Sequence, residues 1–158
     1  MEGAGLLIVI IPGFLVFFVA LWTFIIWLIA TLGWTKLTRE RRAPQEPPAD
    51  AVHLRGQTLT FGDGLFFPLN YSHIIKAWVH HSGLFLRPGF PFSAFHPMLH
   101  LRWDEFEGIE PGASLVWKRV KARVRGYSRP IVFYGKLAHA VMEQWSARRG
   151  PQTGIPPA

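Results

Sequence analysis

The chain has 158 residues, enough for one domain with an additional segment, and a net charge of +7. It contains no cysteine, which excludes disulfides, zinc–thiolate and iron–sulfur sites and a cysteine nucleophile. The excess of cations points to anionic partners: lipid head groups, nucleic acid or acidic protein faces.

Residues 6–34 are assigned as a transmembrane helix. No charged residue occurs from Gly3 to Thr35, and the run from Leu6 to Trp34 is almost wholly apolar. A helix needs only about 20 such residues to cross a bilayer core of roughly 30 Å. Pro12-Gly13 is expected to kink or break it, because proline lacks the N–H of a helix interior. The minimum span is then Phe14 to Leu32, with the part before Pro12 either the far end of the helix or a short interfacial piece. Cleavage as a signal peptide is not expected: Met1-Glu2 brings no basic side chain, the apolar run is too long, and no small-x-small site follows. Trp34 suits the interface. Phe17, Phe18, Trp22 and Trp27 lie within the span and offer a face for a partner transmembrane helix.

Residues 35–51 read as a basic flank and a proline-rich linker. Lys36, Arg39, Arg41 and Arg42 stand against Glu40 alone. The positive-inside rule then puts the short N-terminus outside and everything after the helix in the cytoplasm, at the inner (cytoplasmic) membrane. The same four cations are candidates for holding anionic head groups, each contributing about 1 kcal/mol near the surface. APQEPPADA (43–51) has three prolines and no hydrophobic periodicity, as a semi-rigid spacer would. GPQTGIPPA (150–158) reads as a disordered tail.

Residues 52–149 carry the strand signals of one small domain. Gln57 to Phe61 alternates and is followed by the turn Gly62-Asp63-Gly64. Ile74 to His81 and Leu84 to Arg87 form a hairpin about Ser82-Gly83, and Leu99 to Trp103 is a further strand. From Leu115 to Arg125 the pattern is clearest: Arg119, Lys121, Arg123 and Arg125 alternate with Val120, Ala122 and Val124, giving one basic and one apolar face. Pro130 to Tyr134 is a compact strand after the turn Gly126-Tyr127-Ser128. Lys136 to Arg149 is an amphipathic helix with Leu137, Val141 and Trp145 at i, i+4 and i+8, ended by Gly150-Pro151. The fold class is α+β, mainly β: a small barrel or curved sheet with the helix packed over an open end.

The stretch SGLFLRPGFPFSAFHPMLHLRWDEFEGIE (82–110) resembles small bacterial proteins of the pleckstrin-homology-like type. The resemblance rests on Gly83-Leu84-Phe85-Leu86, Phe92, His96-Pro97-Met98-Leu99, Leu101, Trp103 and Ile109; Arg102 departs from it, standing where a proline is expected. It implies the fold of a membrane-anchored domain and no particular chemistry. Within it, Gly83 is expected to permit a turn. Phe90, Phe92 and Phe95 are expected to plug the sheet; the alternative is an exposed aromatic loop that docks on lipid or a partner helix.

The candidate site is the basic strand, with Lys118, Arg119, Lys121, Arg123, Arg125 and Arg129. It fits anionic head groups or an acidic protein face; the bland alternative is an edge strand guarded by solvated cations. Nucleic acid is not expected, since no aromatic side chains are interleaved on the basic face. Asp104, Glu105, Glu107 and Glu110 form an acidic turn whose spacing matches no EF-hand. His80 and His81 are adjacent and would point to opposite faces of a strand, and Pro97 works against a helix aligning His96 with His100, so no metal site is assigned. No cofactor is expected. The chain lacks the glycine-rich phosphate loop, the nucleophile elbow and HExxH, so an enzyme is not expected. A hydrolase using His96 or His100 with an acid from 104–110 is the remaining catalytic alternative. The sequence favours a non-catalytic single-pass membrane protein acting as a binding or scaffold module, or as an accessory subunit of a membrane complex. A sensor of anionic head groups is the alternative.

Overall fold

The computed structural model describes residues 2–43, 46–62, 68–112 and 118–149, with side chains from residue 9 onward. The expected tail, the Asp63-Gly64 part of one turn and the start of the run from Leu115 lie outside the described residues.

Helix α1 (Glu2–Ile29) continues through Pro12. The expected break there does not occur: a single missing N–H is tolerated in a long apolar helix whose other backbone bonds remain. After one wider turn over Ala30–Trp34 the helix resumes as α2 (Thr35–Thr38). The stretch Val9–Thr38 is long and apolar enough to cross a membrane.

The helix does not stop at Trp34. Trp34, Leu37 and Thr38 are buried, and the first two belong to the domain's hydrophobic core. Residues 35–38, expected as flank, are therefore helical, with Leu37 and Thr38 buried in the domain. Apolar side chains at i and i+3 share a helix face, and burying both outweighs leaving them at the end of a spacer. The following residues also join the domain. Arg42 bridges to Leu99, Ala43 donates to the Met98 carbonyl at 3.0 Å, and the Arg41 carbonyl accepts from His100 at 2.9 Å.

Seven antiparallel strands form one curled sheet: β1 (Val52–Phe61), β2 (Leu69–His80), β3 (Gly83–Pro88), β4 (Leu99–Arg102), β5 (Phe106–Gly112), β6 (Arg119–Val124) and β7 (Ile131–Tyr134). Their order is β4-β3-β2-β1-β7-β6-β5. β1 bridges the two halves, pairing with β2 along its length and with β7 over Leu59–Phe61. Alternate residues point inward: Leu59 and Phe61 from β1, Ile75, Ala77 and Val79 from β2, Val120, Ala122 and Val124 from β6.

Helix α3 (Gly135–Arg149) lays Leu137, Ala138 and Val141 on this core. In its first turn the Gly135 N–H donates to the Lys118 carbonyl at 3.0 Å and the Leu137 N–H to the Gln57 side-chain oxygen at 3.1 Å. Its far end is held by Trp145 against Phe106 and by Arg148 over the Trp103 ring. One core is thus filled from the sheet, from α3 and from the end of the apolar helix.

Three local expectations are corrected. The acidic stretch after Trp103 is not a turn: Trp103–Glu105 is a 3-10 segment, and Glu107 and Glu110 stand on β5. β6 lies between β7 and β5, so its cations do not guard an edge. Gly83 is needed for space rather than for a left-handed turn. A Cβ there would collide with the Leu101 carbonyl and lie 2.6 Å from His100 Nε2.

Candidate functional site

The basic strand presents its cations as the alternation requires. Val120, Ala122 and Val124 are buried, while Lys118, Arg119, Arg123 and Arg125 are exposed and Lys121 is half-buried. Part of the charge is matched on β5, where Glu110 sits opposite Lys121 and accepts from Arg123 at 3.3 Å. Two further acids nearby are paired with other cations. Asp104 pairs with Arg102 at 2.8 Å, and Glu105 pairs with Arg41 at 2.9 Å. An open cleft of about 340 Å³ lies at the end of β6. Lys121, Arg123 and Arg129 line it with Tyr127, Ser128 and Glu107. Its chemistry suits an anionic group, since guanidinium and hydroxyl donors outnumber the single carboxylate.

The head-group flank divides in two. Lys36, Arg39 and Arg42 are exposed. Arg41 is not available to lipid: its side chain is 9% exposed, its Nε donates to Glu105, and its Nη2 donates to the Arg125 carbonyl. A buried cation next to a carboxylate is held by that pair, which is why this one arginine belongs to the fold.

The aromatic loop does not plug the sheet. Phe90 is 92% exposed, Phe95 is exposed and Phe92 is half-buried. The core positions of this stretch are taken by His96, Met98 and Leu99. His96 is fully buried, with Nδ1–H donating to the Phe92 carbonyl at 2.6 Å and Nε2 accepting from the Tyr71 hydroxyl at 3.0 Å. Its ring stands edge-on to Trp34 and Tyr71. Burial holds its pKa below the ordinary value, more than the Phe92 carbonyl restores. Burial likewise pushes the Tyr71 phenol up. Among the described residues no carboxylate meets either nitrogen, and both are held by hydrogen bonds within the fold. His100 stacks on Phe85 at 4.1 Å, and its Nε2 is buried without a hydrogen-bond partner.

His80 and His81 do not point to opposite faces. β2 ends at His80, so His81 already belongs to the turn, and the two rings lie 3.8 Å apart. One ring nitrogen from each and an Asp50 oxygen fall within 4.8 Å of one another. His80 Nε2 is 3.2 Å from Asp50, and Nδ1 is 2.7 Å from the Ser82 hydroxyl.

A cleft of about 560 Å³ is not legible in the sequence as a site. It is lined by Arg55, Gln57, His73, Tyr134 and Lys136 where β1 and β2 meet the start of α3. Gly56, left-handed at φ 62°, and His73, at φ 58°, mark the irregularity that opens it. A glycine inside a strand is the signal for such a bulge.

No protein-family model matches the chain, and no curated protein matches it.

Proposed function

We propose that the chain is a non-catalytic, single-pass membrane protein whose domain is of the pleckstrin-homology-like type. It serves as a binding or scaffold module, as an accessory subunit of a membrane complex would. The strand order, with α3 following β7 onto the core, supports that type. Lys36, Arg39 and Arg42 on the domain side favour a cytoplasmic domain at the inner membrane. The burial of Trp34 and Leu37 favours a retained helix over a cleaved signal, because cleavage after the apolar run, beyond Leu37, would remove both core residues.

The observation that carries the binding reading is the convergence of Lys121, Arg123 and Arg129 on one cleft with two hydroxyl groups. The partner is an acidic protein segment. The full chain in nanodiscs of neutral lipid is titrated with a glutamate-rich peptide. Binding that weakens with salt is expected, and a K121E/R123E/R129E variant should bind at least about tenfold more weakly, the equivalent of ~1.4 kcal/mol. Salt-insensitive binding, or none, discards the reading.

A second reading, that this strand senses anionic head groups, is favoured by one contact. Arg41, just past the helix, donates to the Arg125 carbonyl, so the Arg125–Arg129 turn sits at the helix end of the domain. Anionic lipid in the same disc should then suppress peptide binding; unchanged peptide affinity removes this alternative.

A further inference from the structure

The domain and the apolar helix overlap along the helix axis. Phe92 reaches back to Trp22, with ring centroids 6.5 Å apart, and Ile26 and Ala30 are buried. On the other faces of these same turns Phe24, Ile25, Trp27, Leu28 and Leu32 remain exposed. From Trp22 to Leu32 the helix rises about 15 Å. Whatever shields Leu32 from water therefore extends well past the level of Phe92. Ending the span before Trp22 does not resolve the overlap. Leu6 to Leu21 is 16 residues, or about 24 Å of helix, short of a bilayer core of roughly 30 Å.

The loop is built for that depth. Phe14, Phe18 and Trp22 form a ladder along one helix face with centroids 6.4 Å apart, and Phe92 continues it. Phe90 projects from the same loop. Beside it lies an open cleft of about 380 Å³ lined by Arg42, Arg87, Ser93 and Phe95. Arg87 Nε is buried without a hydrogen-bond partner, and among the described residues neither guanidinium has an ion pair. Lys76 lies on the other side of Arg87, in a recess it shares with Phe90. Apolar tip, flanking cations and a donor fork are the features of a surface that meets acyl chains and phosphates together.

We infer that the loop 89–95 is seated in the leaflet on the domain's side of the membrane. Phe90 lies among the acyl chains, and Arg42 and Arg87 hold the phosphate of an anionic phospholipid. This rests on the helix crossing the bilayer and is independent of the basic strand.

The absence of cysteine allows single labels on the full chain. Phe90→Cys, Ser82→Cys at the opposite end of β3, and Phe18→Cys are each labelled with an environment-sensitive fluorophore. The proteins are reconstituted into vesicles of phosphatidylcholine and phosphatidylglycerol. The label at 90 should be quenched by spin-labelled lipid and shielded from iodide, as at 18, while the label at 82 is quenched by iodide. Energy transfer from the label at 90 to acceptor-labelled phosphatidylglycerol should exceed that to acceptor-labelled phosphatidylcholine, and R42Q/R87Q should abolish the difference. Iodide quenching at 90 equal to that at 82 overturns the insertion. Shielding from both quenchers also overturns it, with protein and not lipid as the cover. Lipid quenching at 90 with an unchanged lipid preference in R42Q/R87Q overturns the phosphate site alone. Iodide quenching at 18 overturns the membrane-spanning reading and the insertion with it.

Discussion

Trp34 donates its indole N–H to the Pro97 carbonyl at 2.8 Å, and so ties the last turns of the apolar helix to the loop that carries Phe90 and His96. Phe61, Tyr71 and His96 surround the same indole with centroids 5.4 to 5.9 Å away. The helix is a component of the domain rather than a leash for it.

Trp34→Ala should destabilise the domain by about 3–5 kcal/mol, the cost of emptying a buried aromatic site. Trp34→Phe should cost less, mainly the Pro97 carbonyl left without its donor, about 1–3 kcal/mol. A fragment beginning at residue 39 lacks both Trp34 and Leu37 and should unfold at lower denaturant than the full chain. Urea unfolding in mild detergent, followed by near-UV circular dichroism, checks all three. Equal midpoints for the fragment and the full chain would contradict the shared core.

His96 makes stability depend on pH in a defined direction. Its pKa is lowered in the folded state by burial, so the unfolded chain binds the proton more readily. The contribution is present above the unfolded value of about 6.5 and is lost as pH falls below it. His100 is lowered too, also by burial, and adds to the same slope. His96→Gln should flatten the loss of stability between about pH 6.5 and 5 without removing it. An unaltered slope in this variant would show that His96 is not protonated on unfolding.

Glu105 should matter far more than its neighbour Asp104. Glu105 accepts from Arg41, whose side chain is 9% exposed, and from the Arg102 backbone N–H at 3.0 Å. Glu105→Ala strands a mostly buried cation and should cost about 1–3 kcal/mol, nearly independent of salt. In the Arg102–Asp104 pair both side chains are 63% exposed. Asp104→Ala should therefore change stability by no more than about 0.5 kcal/mol. Denaturant midpoints at low and high salt separate the two, and equal effects would refute the distinction.

What could be read in the sequence followed period. Val120, Ala122 and Val124 announce β6, and Leu137 with Val141 announces α3, because each element buries one face without interruption. β5 was missed because a bulge between Phe106 and Gly108 breaks its alternation, leaving Phe106 and Ile109 inward three residues apart. The Asp50–His80–His81 group was missed because β2 ends between the two histidines, which no composition reveals. Arg87 carries no local signal: its place beside Arg42 comes from β3 lying next to β4. Trp34 reads as interfacial in the sequence because its hydrophobicity suits a bilayer and a protein core equally.

The helix runs without a swivel from the apolar segment into the core, so the domain is mounted on a shaft. Each residue of α-helix turns the chain by about 100°. In the proposed membrane-spanning arrangement, the helix face that meets a neighbour sets the compass bearing of β6 beyond it. A neighbour that grips Phe17 and Trp27 thereby also aims Lys121, Arg123 and Arg129. One residue added to the shaft between Phe18 and Trp22, before the Phe92 contact, would keep every contact inside the domain and swing its basic face, relative to Phe17, by more than a quarter of a circle.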